Sequence, residues 1–219
     1  MTQIICLANS KKNCDRCIAG IDIETEKWVR PVCLDYPKDG RVPKNIRLIN
    51  GQEPKLLDVI DIPLDDTGEN FGFESENLNI LGGSWKKVGR VTPNEILQYR
   101  DTSQYILHNT WKFVQESYLK SLSFHKRKTI QLEYVENLFT EWDEEKESWR
   151  GSLNNQNYTI LNDLPITDPE FIEALEHGYE PQHPCLVTIS LGMPYTPNYD
   201  DCEYGACCWK LIAGVIELS

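Results

Sequence analysis

No stretch of this sequence approaches the ~20 consecutive apolar residues that a bilayer-spanning helix requires, so no such helix is expected. Its start, Met1-Thr-Gln-Ile-Ile-Cys-Leu, lacks the basic lead-in of a secretory signal, and the expected compartment is the cytoplasm. The phosphate-cradling loops G-x-x-x-x-G-K and G-x-G-x-x-G are absent. So are the G-x-S-x-G nucleophile elbow and the H-E-x-x-H zinc helix. Histidine is sparse: His108, His125, His177 and His183 are scattered and form no motif. These gaps remove the familiar signatures of nucleotide binding, ester hydrolysis and zinc-dependent hydrolysis, and no catalytic residue is assigned. Positive charge is missing altogether from residues 56–85, which hold seven acidic side chains.

Charge is instead arranged in blocks. The 219 residues carry 34 acidic and 22 basic side chains, a formal net charge of −12. Residues 1–55 hold ten basic and seven acidic side chains, and residues 86–130 hold nine and three. Residues 131–219 reverse the balance, with three basic and seventeen acidic. A uniformly acidic surface would be a poor general binder of nucleic acid, because affinity for phosphates rests on Lys and Arg. A blocked one leaves room for a local basic groove in the N-terminal half. The acidic C-terminal part then suits a protein partner of opposite charge, unless these charges are ordinary solvated surface.

Eight cysteines are present, and in a reducing compartment they are expected as thiols. Cys14 and Cys17 make one C-x-x-C pair, and Cys202, Cys207 and Cys208 make a looser group. Structural zinc takes four ligands from two close pairs, so Cys14, Cys17, Cys202 and Cys207 are the candidate set, with zinc the one cofactor considered. The plainer alternative packs Cys6, Cys33 and Cys185 as small apolar side chains and leaves the others as loop thiols.

Short apolar runs broken by Gly, Pro, Asn and Asp read as strands at residues 4–7, 17–23, 28–33, 56–64, 77–81, 129–135, 158–161, 185–191 and 208–218. Helix signals are fewer. Thr92-Pro-Asn-Glu is a capping box with proline at the first helical position. Residues 110–122 place Trp111, Val114, Tyr118 and Leu122 at helical spacing, and this stripe reads as core. Thr167-Asp-Pro-Glu repeats the capping signature before a short helix that stops at Gly178. Many short strands and few helices imply a mainly β protein of the α+β kind, with barrels or sandwiches. Cys17-Ile-Ala-Gly-Ile near the start is echoed by Leu211-Ile-Ala-Gly-Val near the end. A glycine inside a strand marks a bulge or sharp bend, so one such strand is expected in each of two barrels.

Ile5-Cys-Leu-Ala-Asn-Ser-Lys-Lys, Arg16-Cys-Ile-Ala-Gly-Ile-Asp and Trp28-Val-Arg-Pro-Val together resemble the N-terminal signature of bacterial dual OB-fold proteins. Leu57-Asp-Val-Ile, Glu76-Asn77 with Trp85 following, residues 161–169 ending in Thr167-Asp-Pro, Ser190-Leu-Gly-Met-Pro-Tyr and Lys210-Leu-Ile-Ala-Gly are similar to later blocks of that family. The resemblance covers most of the chain and rests on short patches, none of them catalytic. It implies two small OB-like β-barrels, 1–91 and 125–219, joined by a helical middle at 92–124. By analogy it implies a nucleic-acid role in mobile-element or defence neighbourhoods. Cys14 and the late cysteine group lie outside the family signature.

Single-stranded nucleic acid needs a positive groove for its backbone and exposed aromatics for its bases, each stacked base contributing ~1–3 kcal/mol. Three clusters offer that combination. Lys11, Lys12 and Arg16 flank a loop, with Lys27, Trp28 and Arg30 across the expected hairpin. Trp85 is followed by Lys86, Lys87 and Arg90. Lys126, Arg127 and Lys128 form the third. Three functions follow for testing: a non-enzymatic adaptor binding single-stranded DNA or RNA through its basic half and a protein through its acidic half, a purely protein-binding module, and a metal-dependent enzyme.

Overall fold

The structure, a computed structural model, describes residues 1–155, 158–196 and 205–218. It divides into two compact units, Met1–Phe71 with Glu76–Tyr99, and Gly72–Ser75 with Arg100–Ser219. No helix among the described residues is long and apolar enough to cross a membrane.

The first unit begins with a long hairpin of β1 (Thr2–Lys12) and β2 (Asp15–Asp22). Its two-residue turn, Asn13–Cys14, has φ of 46° and 67°, the left-handed pair that matches the natural twist of a hairpin. β3 (Trp28–Val32), α1 (Lys44–Arg47), β4 (Asp58–Ile62), β5 (Asn77–Asn79), β6 (Lys86–Arg90) and α2 (Pro93–Ile96) follow. The strands form one sheet in the order β5-β3-β2-β1-β4-β6. β5 runs parallel to β3, and the Leu64↔Ile80 bridge returns the chain after β4 to the end of β5. The sheet therefore curls back on itself around Ile4, Cys6, Ile18, Val29, Val42, Ile60, Ile62, Leu64 and Trp85. Each fully buried aliphatic side chain in such a core contributes ~1.5–3 kcal/mol.

The second unit follows a related strand succession but in two sheets, a three-stranded and a four-stranded one. β7 (Phe113–Gln115) and α3 (Glu116–Ser121) precede β8 (Ile130–Val135), β9 (Asn137–Asp143), β10 (Ser148–Asn155), β11 (Tyr158–Pro165), α4 (Pro169–Glu176), β12 (Cys185–Leu191) and β13 (Cys207–Glu217). β8 and β9 act as two halves of one bent first strand, β8 pairing with β12 and β9 with β10. The parallel Ile166↔Ile212 bridge joins the end of β11 to β13, the counterpart of β3 beside β5. In each unit a short helix lies between the third and fourth barrel strands, α1 in one and α4 in the other.

The repeated Ile-Ala-Gly occurs once in each unit, and both glycines sit beside a bulge. Gly20 pairs with Cys6 where the register slips between Cys6 and Ala8. Gly214 pairs with Thr188 where it slips before Ile189. The two strands are not equivalent, because β2 is the second strand of its barrel and β13 the fifth. At Gly20 a Cβ would stand 2.0 Å from the Ile5 carbonyl oxygen, so the close approach of β1 excludes any side chain.

Two helix expectations need correction. Residues 110–122 do not form one helix, because Phe113 and Val114 pair with Trp209 and Cys208 of β13 and the helix begins only at Glu116. Aromatic and β-branched side chains favour the strand once a partner edge is available, and that tertiary pairing outweighs the local spacing. Only Val114 and Leu119 of the segment are fully buried, while Trp111 and Tyr118 face outward. The cap of α4 is Asp168, not Thr167, because Pro169 takes the first helical position. Asp168 Oδ1 accepts from the Glu170 and Phe171 amides at 3.1 and 3.3 Å, and its Oδ2 accepts from the Val215 amide at 3.1 Å. One carboxylate thus anchors the helix start to β13. The Thr92 box holds as expected, its amide donating to Glu95 Oε2 at 2.7 Å.

Gly20→Ala is expected to destabilise the protein by about 1–3 kcal/mol, since the clash is with backbone, read as a lower urea midpoint. Asp168→Ala is expected to cost about 2 kcal/mol through loss of the cap and of the bond to β13. Asp168→Asn should recover part of that loss in the same melts.

Candidate functional site

The β1–β2 register places Lys11 opposite Arg16 and Lys12 opposite Asp15, so the hairpin tip does gather Lys11, Lys12 and Arg16. Other cations near this tip are occupied. Arg47 reaches Asp15 at 3.0 Å and Glu53 at 2.8 Å, and Arg41 reaches Asp39 at 3.2 Å. Exposed Lys27 and half-buried Trp28 lie at the far end of β2, where Trp28 pairs with Ile21, about 20 Å from the tip at ordinary strand rise, and do not join it. Arg30 is only 2% exposed and donates to Asn77 Oδ1 at 3.1 Å, so it holds β3 to β5 and cannot meet phosphate.

Trp85 corrects the second cluster. It is 3% exposed and packs in the barrel core, where apolar burial outweighs any stacking role. Lys87 and Arg90 both bind the buried Asp58 carboxylate, at 2.6 and 2.8 Å, which leaves exposed Lys86 by itself. In the third cluster Arg127 donates to the carbonyls of Leu122, Gly72 and Lys120, Lys128 pairs with Asp101, and Lys126 is exposed. Arg127 and Lys128 are therefore scaffold.

Of the metal candidates, Cys14 is exposed, Cys17 is half-buried and Cys207 is buried, while Cys202 lies outside the described residues. No group of three or more His, Cys, Asp or Glu among the described residues is arranged to hold a metal ion. Cys6, Cys33 and Cys185 are buried, as packing cysteines are, and burial pushes the Cys185 thiol up to about 12.

The second unit carries a surface that charge counting had not located. Trp111 is 51% and Trp209 37% exposed, with Phe113 between them. The Phe113 ring lies 5.5 Å from Trp111, edge to face, and 5.1 Å from Trp209. Strand pairing explains the arrangement. Phe113 is opposite Trp209 across β7 and β13, so their rings meet on one face while Val114 turns into the core. Asn109 sets the approach to β7: its Oδ1 accepts from the Trp111 amide at 3.0 Å and its Nδ2 donates to the Phe113 carbonyl at 3.1 Å.

Grooves flank this ridge. One of about 340 Å³ runs past His108, Asn109, Gln115 and Tyr118. The other, about 770 Å³, runs past Lys112, Ile160, Leu161 and Asn162. At its border Lys112 and Arg150 bind Asp163 at 2.8 and 2.7 Å, with Lys146 at 3.4 Å. Partial burial works to raise the Asp163 carboxyl, yet hydrogen bonds from Arg150 and Lys112 hold it well below the usual range. Lys146 turns chiefly to Asp143 at 2.7 Å, so the three cations share two carboxylates, and Lys112 itself comes from the basic stretch 86–130. The available signal was Trp111-Lys-Phe113: in extended chain the aromatics share a face with a lysine between them.

Beneath the ridge Lys210 is fully buried. Burial pushes its amine down to about 7, against the pull of Glu133, and pushes Glu133 up to about 7, against a 2.6 Å hydrogen bond from Gln131. Glu133 keeps a proton in the folded state that the unfolded chain has released, so its contribution to stability is full below about pH 4.5 and is lost as pH rises through about 7. Lys210 has the opposite sense, its contribution being present above about pH 10.5 and lost as pH falls through about 7. The pair therefore predicts lower stability near neutrality than at pH 5 or pH 9. Urea melts at the three values check this, and Glu133→Gln is expected to flatten the acid side.

Compared with known proteins, residues 2–215 match the family model for the dual OB-containing domain. No curated protein and no solved structure matches the chain.

Proposed function

Because the chain belongs to the dual OB-containing family, we propose that it is a non-enzymatic binding protein whose second barrel takes single-stranded nucleic acid on its aromatic ridge. One observation carries this reading: Trp111, Phe113 and Trp209 form a solvent-facing cluster between two grooves, with the half-exposed Lys112 lining one of them. Aromatics that accept any base, with cations for the backbone, are the requirements of sequence-tolerant single-strand binding. The placement suits an OB barrel, whose second and third strands form the usual binding face. Here the third strand, β11, lines the groove with Ile160 and Asn162, while the rings stand on β7, its approach and β13. Lys11, Lys12 and Arg16 offer a separate contact for phosphate at the tip of the first barrel.

A protein partner is supported by a different surface. The β9–β10 hairpin exposes Phe139 on the face that also carries Glu141, with Glu144, Glu145 and Glu147 at its turn, a combination that attracts a basic, partly apolar partner. A stable complex free of nucleic acid, purified from the native host and lost with Phe139→Ala, is the outcome this surface predicts.

The nucleic-acid reading is tested with fluorescently labelled single-stranded DNA and RNA at 50 and 200 mM salt. Affinity is expected to fall with salt. Trp111→Ala and Trp209→Ala should each weaken binding about tenfold, the equivalent of ~1.4 kcal/mol per lost stack. Replacing Lys11, Lys12 and Arg16 together by Ala should reduce the salt slope, by roughly 0.7 for each phosphate contact removed. Absence of binding to either polymer at low salt would overturn the proposal.

A further inference from the structure

A lysine with no exposed surface is costly, because the amine gives up its hydration. Methionine or leucine would fill the same space in β13 without that loss. The contacts of Lys210 indicate what the amine does instead. Its Nζ donates to the Asn109 carbonyl oxygen at 2.7 Å and to Asn109 Oδ1 at 3.0 Å. Its backbone amide donates to the Lys112 carbonyl oxygen at 2.8 Å. One residue thus holds both ends of the four-residue segment that carries Trp111. The same Asn109 side chain accepts from the Trp111 amide and donates to the Phe113 carbonyl oxygen, so fixing Asn109 fixes both aromatics. The third ring, Trp209, is the chain neighbour of Lys210.

We infer that Lys210 is the positioning residue of the aromatic ridge, its buried amine holding the Asn109 turn so that Trp111 and Phe113 stand against Trp209. The inference rests on the ridge being the ligand surface, but the order of the ridge is measurable without any ligand. Removing the amine while keeping the volume should therefore separate stability from ridge order. A purely structural lysine would move both together.

The test uses the full chain labelled with 5-fluorotryptophan and read by fluorine NMR, the Trp111 and Trp209 lines being assigned with Trp111→Phe and Trp209→Phe. In Lys210→Met the unfolding temperature is expected to stay level or rise. The Trp111 and Trp209 lines should shift toward that of solvated tryptophan, and affinity for oligothymidylate should fall about tenfold. Asn109→Ala should displace the same lines, and the double variant should do no more than either single one, as coupled partners require. Asn109→Ala by itself also serves as the reading if Lys210→Met does not fold. Unchanged Trp111 and Trp209 lines in the folded variants overturn the inference whatever the affinity does. Shifted lines with unchanged affinity sustain the positioning role and remove the ridge as the nucleic-acid surface instead.

Discussion

Everything in either unit depends on the approach of the fifth barrel strand to the third. β5 lies parallel to β3 in the first unit, and Ile166 bridges Ile212 in the second. An open sheet would leave an unpaired edge and a core exposed on one side. Closure converts the alternating residues of short strands into an interior and an exterior. The bulges beside Gly20 and Gly214 belong to the same constraint, since strands bent this sharply lose register locally. Asp168 serves it too, by bonding the start of α4 to the strand that completes the second barrel.

Closure also decides what the charged side chains are free to do. Arg30 reads as a candidate phosphate ligand only while its surroundings are unknown. In the fold it holds β3 to β5. Lys87 and Arg90 neutralise the buried Asp58, which would otherwise be an expensive charge. The basic blocks therefore contribute far less free positive surface than their composition suggests. In the acidic block, conversely, carboxylates are held by partners, Asp163 by Arg150 and by Lys112 of the basic stretch, and Asp143 by Lys146. Average charge and local charge part company because ion pairs form across strands far apart in sequence.

Strand positions were legible where turn residues and apolar runs act locally, as at β3–β5, β8 and β11–β13, whereas β1 extends through the polar stretch that reads as a loop, and β6, β9 and β10, charged and largely exposed, carry no such signal. Thr92-Pro-Asn-Glu and the Gly178 stop carry their conformations with them. The stretch around Trp111, Val114 and Tyr118 was misread for the opposite reason. Three- and four-residue spacing is compatible with a helix, and only the edge of β13 turns Phe113 and Val114 into strand. Trp85 and Trp111 exchange roles for the same cause. Both sit beside lysine, yet one closes a core and the other stands in solvent.

The sequence by itself determined a mainly β chain, the glycines at which strands bend and the Thr92 cap, which follow from backbone preferences and periodicity acting over a few residues. The two OB-like barrels were legible only through the family resemblance. Only the tertiary structure decided which tryptophans face solvent, which cations stay unpaired, and that a buried lysine stands beneath the aromatic ridge. Each of those depends on a partner distant along the chain, as Lys210 depends on Asn109, and no local pattern encodes which partner that will be.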